Sequence, residues 1–248
     1  MWKLVFMKIQ FLGTGAAANH GRYNSSILIN DKILLDCGPT SVANLKKIGL
    51  KTEDISTIFI SHLHGDHFIG LPFFFLDSVI LEKRQNPLIL VAPKETISKV
   101  LKIAEIVYGG SLKKKLLLDY PLNFVSIEGS FYEEEISECN FQAIQTKHGE
   151  ELAYNLILDF NGKKLGYSGD SEFCETLQQT ASKVDVMICE RTSPKEKLKG
   201  HCCGDEIEIL AKGMKTDSNL ILTHFVETEI QNSNPNFIYP NDFEKFYF

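Results

Sequence analysis

"SHLHGDHFIG", Ser61 to Gly70, packs three histidines and an aspartate into six positions, although the whole 248-residue chain has only seven histidines. His62 and His64 stand two apart, so a tight loop can turn both imidazoles toward one ion. Asp66 and His67 follow at once and can face a second ion beside the first. Imidazole and carboxylate together suit zinc, and also iron or manganese. H-x-H-x-D-H is long and has few degenerate positions, so it reads as a metal site rather than a chance cluster.

The stretch just before it, "STIFISH", reads as a buried strand that delivers the histidines at its C-terminal end. The same arrangement recurs along the chain. His148 follows "FQAIQTK", Asp170 follows "KLGYSG", Glu190 follows "VDVMIC" and His224 follows "NLILT". A buried strand that ends in a histidine or carboxylate aims that group at the rim of its sheet, where several such ends can converge. Taken singly, His148 and His224 read as ordinary histidines, and Asp170 after Ser-Gly as a helix N-cap. Beside an accepted metal loop they gain weight. His148 completes the first ion, His224 the second, and Asp170 can place one oxygen on each.

The other elements alternate. Strands are expected over "LVFMKIQFLG", "SSILIN", "KILLDCG", "PLILVAP", "NFVSIE", "NFQAIQT", "AYNLILDF" and "KKLGYSGD". Asn30-Asp31 and Asn161-Gly162 mark tight hairpins. Helices are expected over "HFIGLPFFFLDSVILEK", with Pro72 early enough to be tolerated, and over "KETISKVLKIAEIVYGG", stopped by Gly109-Gly110. Two more are expected over "SEFCETLQQTASK" and "GDEIEILAKGMK". The aromatic tail "NFIYPNDFEKFYF" reads as a final strand packing on a sheet, with an interface as the other reading. There is no low-complexity linker. The pattern implies one α/β domain over 1–248, made of two similar halves with helices outside two sheets.

Composition is that of an ordinary soluble globular protein. Hydrophobic residues make up 44% and charged residues 23%, and the net charge of −6 does not favour a general nucleic-acid-binding surface. No run of eighteen apolar residues spans a membrane, and the N-terminus lacks the basic start and small-residue cleavage site of a signal peptide. The six cysteines form no C-x-x-C pair, so reduced thiols in a cytoplasm are expected. Cys202-Cys203 alone does not close a tetrahedral metal site. Lys113, Lys114 and Lys115 read as a solvated helix end.

"HLHGDH", "KHG", "YSGD" and "LTHF", in that order, resemble the metallo-β-lactamase superfamily over almost the whole chain. The resemblance implies an αββα four-layer sandwich of two mixed β-sheets flanked by helices, with a binuclear centre at one edge. It implies that His62, His64 and His148 hold one ion, that Asp66, His67 and His224 hold the other, and that Asp170 bridges them. Two divalent ions follow, with Zn2+ favoured by ligand type and Mn2+ or Fe2+ as alternatives.

Further features resemble the ribonuclease Z branch. "FLGTGAAANHGRYNSSILI" is similar to its N-terminal segment. Glu190 in "MICERTS" and His201 in "GHCCGDEIEILAKGMKTDSNLILTHF" occupy the places of its glutamate and histidine. Glu190 can orient His201 and hold it protonated, so that the imidazolium stabilises a phosphorane and protonates the leaving oxygen. The implied function is phosphodiester hydrolysis by a metal-bound hydroxide, oriented by Asp66 acting as general base. The two ions and two carboxylates leave a charge of about +2, which suits an anionic phosphodiester.

The chain departs from that branch in lacking its long Gly/Pro-rich arm, because Ser78 to Phe141 shows only strand, helix and strand patterns. The N-terminal loop keeps Arg22 and Asn24 but lacks the branch's proline and lysine. RNA therefore stays open as substrate beside a small or cyclic phosphodiester. A homodimer is compatible with the resemblance, although the missing arm weakens the argument for it. The alternative function is hydrolysis of a carbonyl substrate: a thioester, lactone or β-lactam. It needs no Glu190–His201 pair. A non-catalytic relative is disfavoured by the intact ligand set.

Overall fold

The computed structural model describes residues 7–118, 120–230 and 234–248. The first half of the chain runs β1 (Lys8–Gly13), β2 (Ser26–Ile29), β3 (Ile33–Leu35), α1 (Ser41–Lys47), β4 (Thr57–Phe59), α2 (Gly65–Phe68), α3 (Leu71–Ile80), β5 (Leu88–Pro93), α4 (Thr96–Tyr108), α5 (Gly110–Leu118) and β6 (Leu122–Ile127). The second runs β7 (Phe131–Glu135), β8 (Asn140–His148), β9 (Glu151–Phe160), β10 (Lys163–Tyr167), α6 (Glu175–Lys183), β11 (Val186–Glu190), α7 (Gly204–Lys212), β12 (Asn219–Thr223) and β13 (Lys245–Tyr247).

Two mixed sheets result. One has the order β13-β1-β2-β3-β4-β5-β6, the other β12-β11-β10-β9-β8-β7. The inner strands are apolar on both faces, as strands covered on both sides must be. In β2, Ile27 and Ile29 turn toward the space between the sheets, while Leu28 turns toward the helices. The central layer joins Phe11, Leu35 and Phe59 of the first sheet to Phe141, Leu156 and Tyr167 of the second. Phe59 and Phe141 meet edge to face across it, with centroids 5.1 Å apart. Leu45 of α1, Phe74 and Phe75 of α3 and Val100 of α4 cover the first sheet. Leu177 and Ala181 of α6 and Ile207 and Leu210 of α7 cover the second. This is the expected αββα sandwich.

The hairpin turns fall where the sequence put them. Asn30 and Asp31 adopt φ of 52° and 59°, and Asn161 and Gly162 adopt 55° and 97°, as type I′ turns require. The tail forms β13, antiparallel to β1 at the edge of the first sheet. The strand read from Leu4 is described from Lys8, and its residues 4–6 lie outside the described ones.

Three elements differ from expectation. The single helix expected from His67 is two, α2 and α3, broken at Ile69-Gly70. A side chain at Gly70 would meet the carbonyl oxygen of Gly38 at 2.1 Å, so the chain is pinned there. Gly109, at φ +70°, ends α4 as expected, but a further helix, α5, starts at Gly110 and carries Lys113 to Lys115. The "FYEEE" of β7 shows no apolar alternation because it is an edge strand, and charged side chains are how such edges are kept from pairing with other chains. Among the described residues no helix is long and apolar enough to cross a membrane.

Candidate metal centre

The strand ends converge at one edge of the sandwich. β4 leads into His62 and His64, and α2 begins at Gly65 so that Asp66 and His67 stand in its first turn. β8 ends on His148, β10 runs out three residues before Asp170, β11 ends on Glu190, and His224 directly follows β12. His62, His67 and Glu190 are fully buried, and His148, Asp170 and His224 nearly so.

Two donor groups form. His62, His64, His148 and Asp170 bring one ligand atom each within 4.8 Å of one another, and so do Asp66, His67, Asp170 and His224. Asp170 belongs to both and faces them with different oxygens. Its Oδ1 lies 3.3 Å from His67 Nε2 and 3.4 Å from His224 Nε2. Its Oδ2 lies 3.7 Å from His62 Nε2 and 3.8 Å from His148 Nε2. That is the disposition of a bridging carboxylate.

The hydrogen bonds behind the rings set their tautomers. His67 Nδ1 donates to Asp36 Oδ2 at 2.7 Å, and His148 Nδ1 donates to the Gly200 carbonyl at 2.7 Å. Ser61 Oγ gives its proton to Asp36 at 2.8 Å and can then accept from His62 Nδ1 at 3.0 Å. Each Nδ1 proton points outward, leaving the Nε2 lone pair to face the centre, which is how metal-ligating histidines are oriented. His64 is the exception, presenting Nδ1, which lies 2.9 Å from His148 Nε2.

The donors fit divalent ions. His62 Nε2, His67 Nε2 and Asp170 Oδ1 are buried and have no hydrogen-bond partner among the described residues. Buried polar atoms left in this state cost free energy unless something binds them. The protonation states point the same way. Burial, and secondly the neighbouring His67, keep His62 well below the usual histidine range. Burial opposes ionisation of Asp66 and Asp170. The neighbouring His224 and His67 rings overcome it for Asp66, and the charges of the same two rings overcome it for Asp170, so both carboxyls stay well below their usual range. His67 is the converse: burial resists its charge, but Asp170 and Asp36 hold a proton on it in the metal-free protein.

Two groups stand beside the donors. Glu190 Oε1 lies 2.9 Å from His201 Nδ1 and also accepts the Ser171 N–H at 2.9 Å. Burial disfavours a charged His201, yet the hydrogen bond and charge of Glu190, helped by Asp170, raise it to about 9. The His201 ring stacks on His224, with centroids 5.5 Å apart and planes at 17°. The imidazolium therefore sits against the second donor group and stays partly open to solvent.

All nine residues singled out from the sequence meet here. Asp36 escaped that reading. It is fully buried at φ +58° and accepts Ser61 N–H, Ser61 Oγ–H, His67 Nδ1–H and Tyr167 Oη–H at 2.6–2.8 Å. Its one signal was an acid closing the apolar "KILLD", the same strand-end pattern as Asp170. His224 also adopts a left-handed backbone, φ +62°. Such strain in non-glycine residues gathers at functional sites.

Comparison with known proteins agrees with this geometry. The family profile described as "Anti-Pycsar protein Apyc1" matches residues 7–238. A ribonuclease Z of Exiguobacterium sibiricum is 31% identical over 237 residues, covering 75% of this chain and 76% of the relative. A ribonuclease Z of Methanococcus maripaludis is 34% identical over 140 residues, covering 55% of this chain but only 43% of that protein's length. Among solved structures, the short form of human tRNase Z superposes with a TM-score of 0.76 at 23% identity, covering 97% of this chain and 98% of its own. The metallo-β-lactamase fold protein YhfI of Bacillus subtilis superposes with a TM-score of 0.78 at 16% identity, covering 98% and 99%.

Proposed function

The chain belongs to the anti-Pycsar protein Apyc1 family and, with its ribonuclease Z relatives, to the metallo-β-lactamase superfamily, and from that premise we propose that it hydrolyses phosphodiesters at a pair of divalent ions. In this reading His62, His64 and His148 hold one ion, Asp66, His67 and His224 the other, and Asp170 joins them. Five imidazoles and two carboxylates favour zinc. Bound ions would supply Lewis-acid charge to a phosphoryl oxygen and make a water acidic enough to react at neutral pH.

The chain's own residues do the rest. Asp66, held ionised, orients the attacking water and takes its proton. His201, protonated and aimed by Glu190, which holds its Nδ1–H, neutralises charge on the pentacoordinate phosphorus and gives its Nε2 proton to the leaving oxygen. The observation that carries the reading is the Glu190–His201 contact of 2.9 Å, stacked against His224. A half-buried cationic acid at that place suits an alkoxide leaving from phosphorus. A thioester or lactone needs no such group.

A small or cyclic phosphodiester fits better than precursor tRNA. Between α3 and β8 the described chain forms β5, α4, α5, β6 and β7, and no projecting arm. Two openings of modest size flank the centre. One, about 660 Å3, is bounded by His64, His148, Lys199 and His201. The other, about 550 Å3, is reached past Thr192 and lined by His20, Pro194, Leu198 and Val226. Both are in the range of small-molecule sites. Six free, buried thiols support a reducing compartment, the cytoplasm. Residues 1–248 are read as one domain serving this site.

The test is a side-by-side assay of the Zn2+-loaded protein on bis-p-nitrophenyl phosphate, a cyclic mononucleotide, a precursor tRNA with a 3′ trailer, and a thioester. We expect turnover of the small phosphodiesters, none in Asp66→Ala, and a loss of about 10²–10⁴-fold in His201→Ala with metal content unchanged. Thioester turnover without phosphodiester turnover refutes the reading.

A further inference from the structure

Thr192 stands between the two parts of the site and belongs to neither. It is 5% exposed, and its Oγ lies 2.8 Å from His224 Nδ1 and 3.2 Å from His201 Nδ1, with a short contact to Glu190 Oε2. The backbone N–H of Thr192 also reaches Glu190 Oε2, at 3.2 Å. A hydroxyl carries one proton and two lone pairs. The Glu190 oxygens already accept the backbone N–H groups of Ser171 and Thr192, which marks them as the acceptors here, so the Thr192 hydroxyl proton goes to Glu190. The lone pairs then face the imidazoles, and the nearer one accepts the Nδ1 proton of His224. That places the His224 proton on Nδ1 and leaves Nε2 bare. Nε2 is the atom that lies 3.3 Å from Asp66 Oδ2 and 3.4 Å from Asp170 Oδ1.

We propose that Thr192 is a positioning residue that couples the two halves of the site: its hydroxyl fixes the tautomer of His224 and, through the same proton, the carboxylate that holds His201. This extends the functional reading above, because it ties the affinity for one ion to the geometry of the acid. His62 and His67 find their acceptors in Ser61 and Asp36, and His148 finds one in the Gly200 carbonyl, none of which touches Glu190. His224 alone among the ligand rings shares its acceptor with the Glu190–His201 pair. The ring is nearly fully buried, so bulk water offers it no substitute acceptor. Without the hydroxyl, the His224 ring has no acceptor behind it. The Nε2–H tautomer then becomes competitive, and it cannot bind an ion.

The test uses the full chain with Thr192→Val, which keeps the shape and removes the hydroxyl, and Thr192→Ser, which keeps the hydroxyl. Co2+ is titrated against a competing chelator, and the histidine tautomers of the Zn2+-loaded protein are read from long-range 1H–15N spectra. We expect Thr192→Val to weaken one of two Co2+ equivalents by about 10- to 100-fold, the range for loss of a partner behind a ligand. The other equivalent should be unchanged, and the His224 Nδ1–H signal should be lost. Thr192→Ser should restore both. Thr192→Ala, which cannot crowd the site, makes the same prediction as valine should the valine variant not fold. Unchanged Co2+ affinity in valine and alanine variants, or a His224 Nδ1–H signal that persists in them, overturns the proposal. A wild-type protein inactive on every phosphodiester offered would refute the functional reading alone, since the titration and the spectra still decide the role of Thr192.

Discussion

Replacing Asp36 by asparagine keeps the volume of a fully buried side chain and changes what it can accept. Asp36 Oδ1 takes the Ser61 N–H at 2.7 Å, and Oδ2 takes Ser61 Oγ–H, His67 Nδ1–H and Tyr167 Oη–H at 2.8, 2.7 and 2.6 Å. Asparagine has one oxygen for these four donors. With its oxygen at the Oδ2 place, the amide NH2 meets the Ser61 N–H head on, and a backbone donor cannot turn away. That leaves a buried donor unmade, at about 1–3 kcal/mol, and reduces three charge-assisted bonds to neutral ones. With the amide reversed, both hydroxyls can rotate, but His67 must move its proton to Nε2, the atom aimed at the centre. The first orientation therefore prevails, with a total cost of about 3–5 kcal/mol, as for other buried charges removed from their partners. Urea unfolding of the metal-free variant measures this. The same change should weaken metal binding about 10- to 100-fold in chelator competition, because His67 loses its carboxylate partner. A variant within about 1 kcal/mol of wild type and with unchanged metal affinity would show that Asp36 does not organise the site.

Two further outcomes follow from the geometry. His201 in the metal-free protein should titrate near pH 9 by NMR, and Glu190→Gln should bring it back toward an ordinary histidine. Because its folded value lies above the unfolded one, of about 6.5, the stability His201 contributes is complete below that pH and is lost as pH rises through about 9. Gly200→Ala should cost about 1–3 kcal/mol and lower metal affinity in the same chelator assay. Gly200 sits at φ +90°, and a methyl group there would stand 3.1 Å from His148 Nδ1.

The donors were legible in the sequence because each closes an apolar strand, and strand ends are visible one at a time. His62 to His67 announce themselves, and His148, Asp170 and His224 need only the assumption of a shared rim. Asp36 and Thr192 were not legible, because their importance lies in partners far along the chain. Asp36 draws on Tyr167, and Thr192 on His224, and a lone acid or hydroxyl carries no spacing that could disclose such meetings. The fold was read on the same terms. Buried strands have a period, whereas β7 is an edge strand of exposed glutamates and has none. The break between α2 and α3 depends on the carbonyl of Gly38, which no local propensity contains.

The donors come from both sheets. His62, His64, Asp66 and His67 follow β4 of the first, while His148, Asp170 and His224 follow β8, β10 and β12 of the second. An ion at this edge would thus be a removable cross-link between two layers otherwise joined by apolar packing. Its binding energy enters the folding equilibrium directly, about 2.7 kcal/mol when the free ion stands at a hundred times its Kd. A chelator would then act on this protein as a mild denaturant, prising at the seam between the sheets. The metal supply of the cell would govern how long each molecule survives as well as how fast it works.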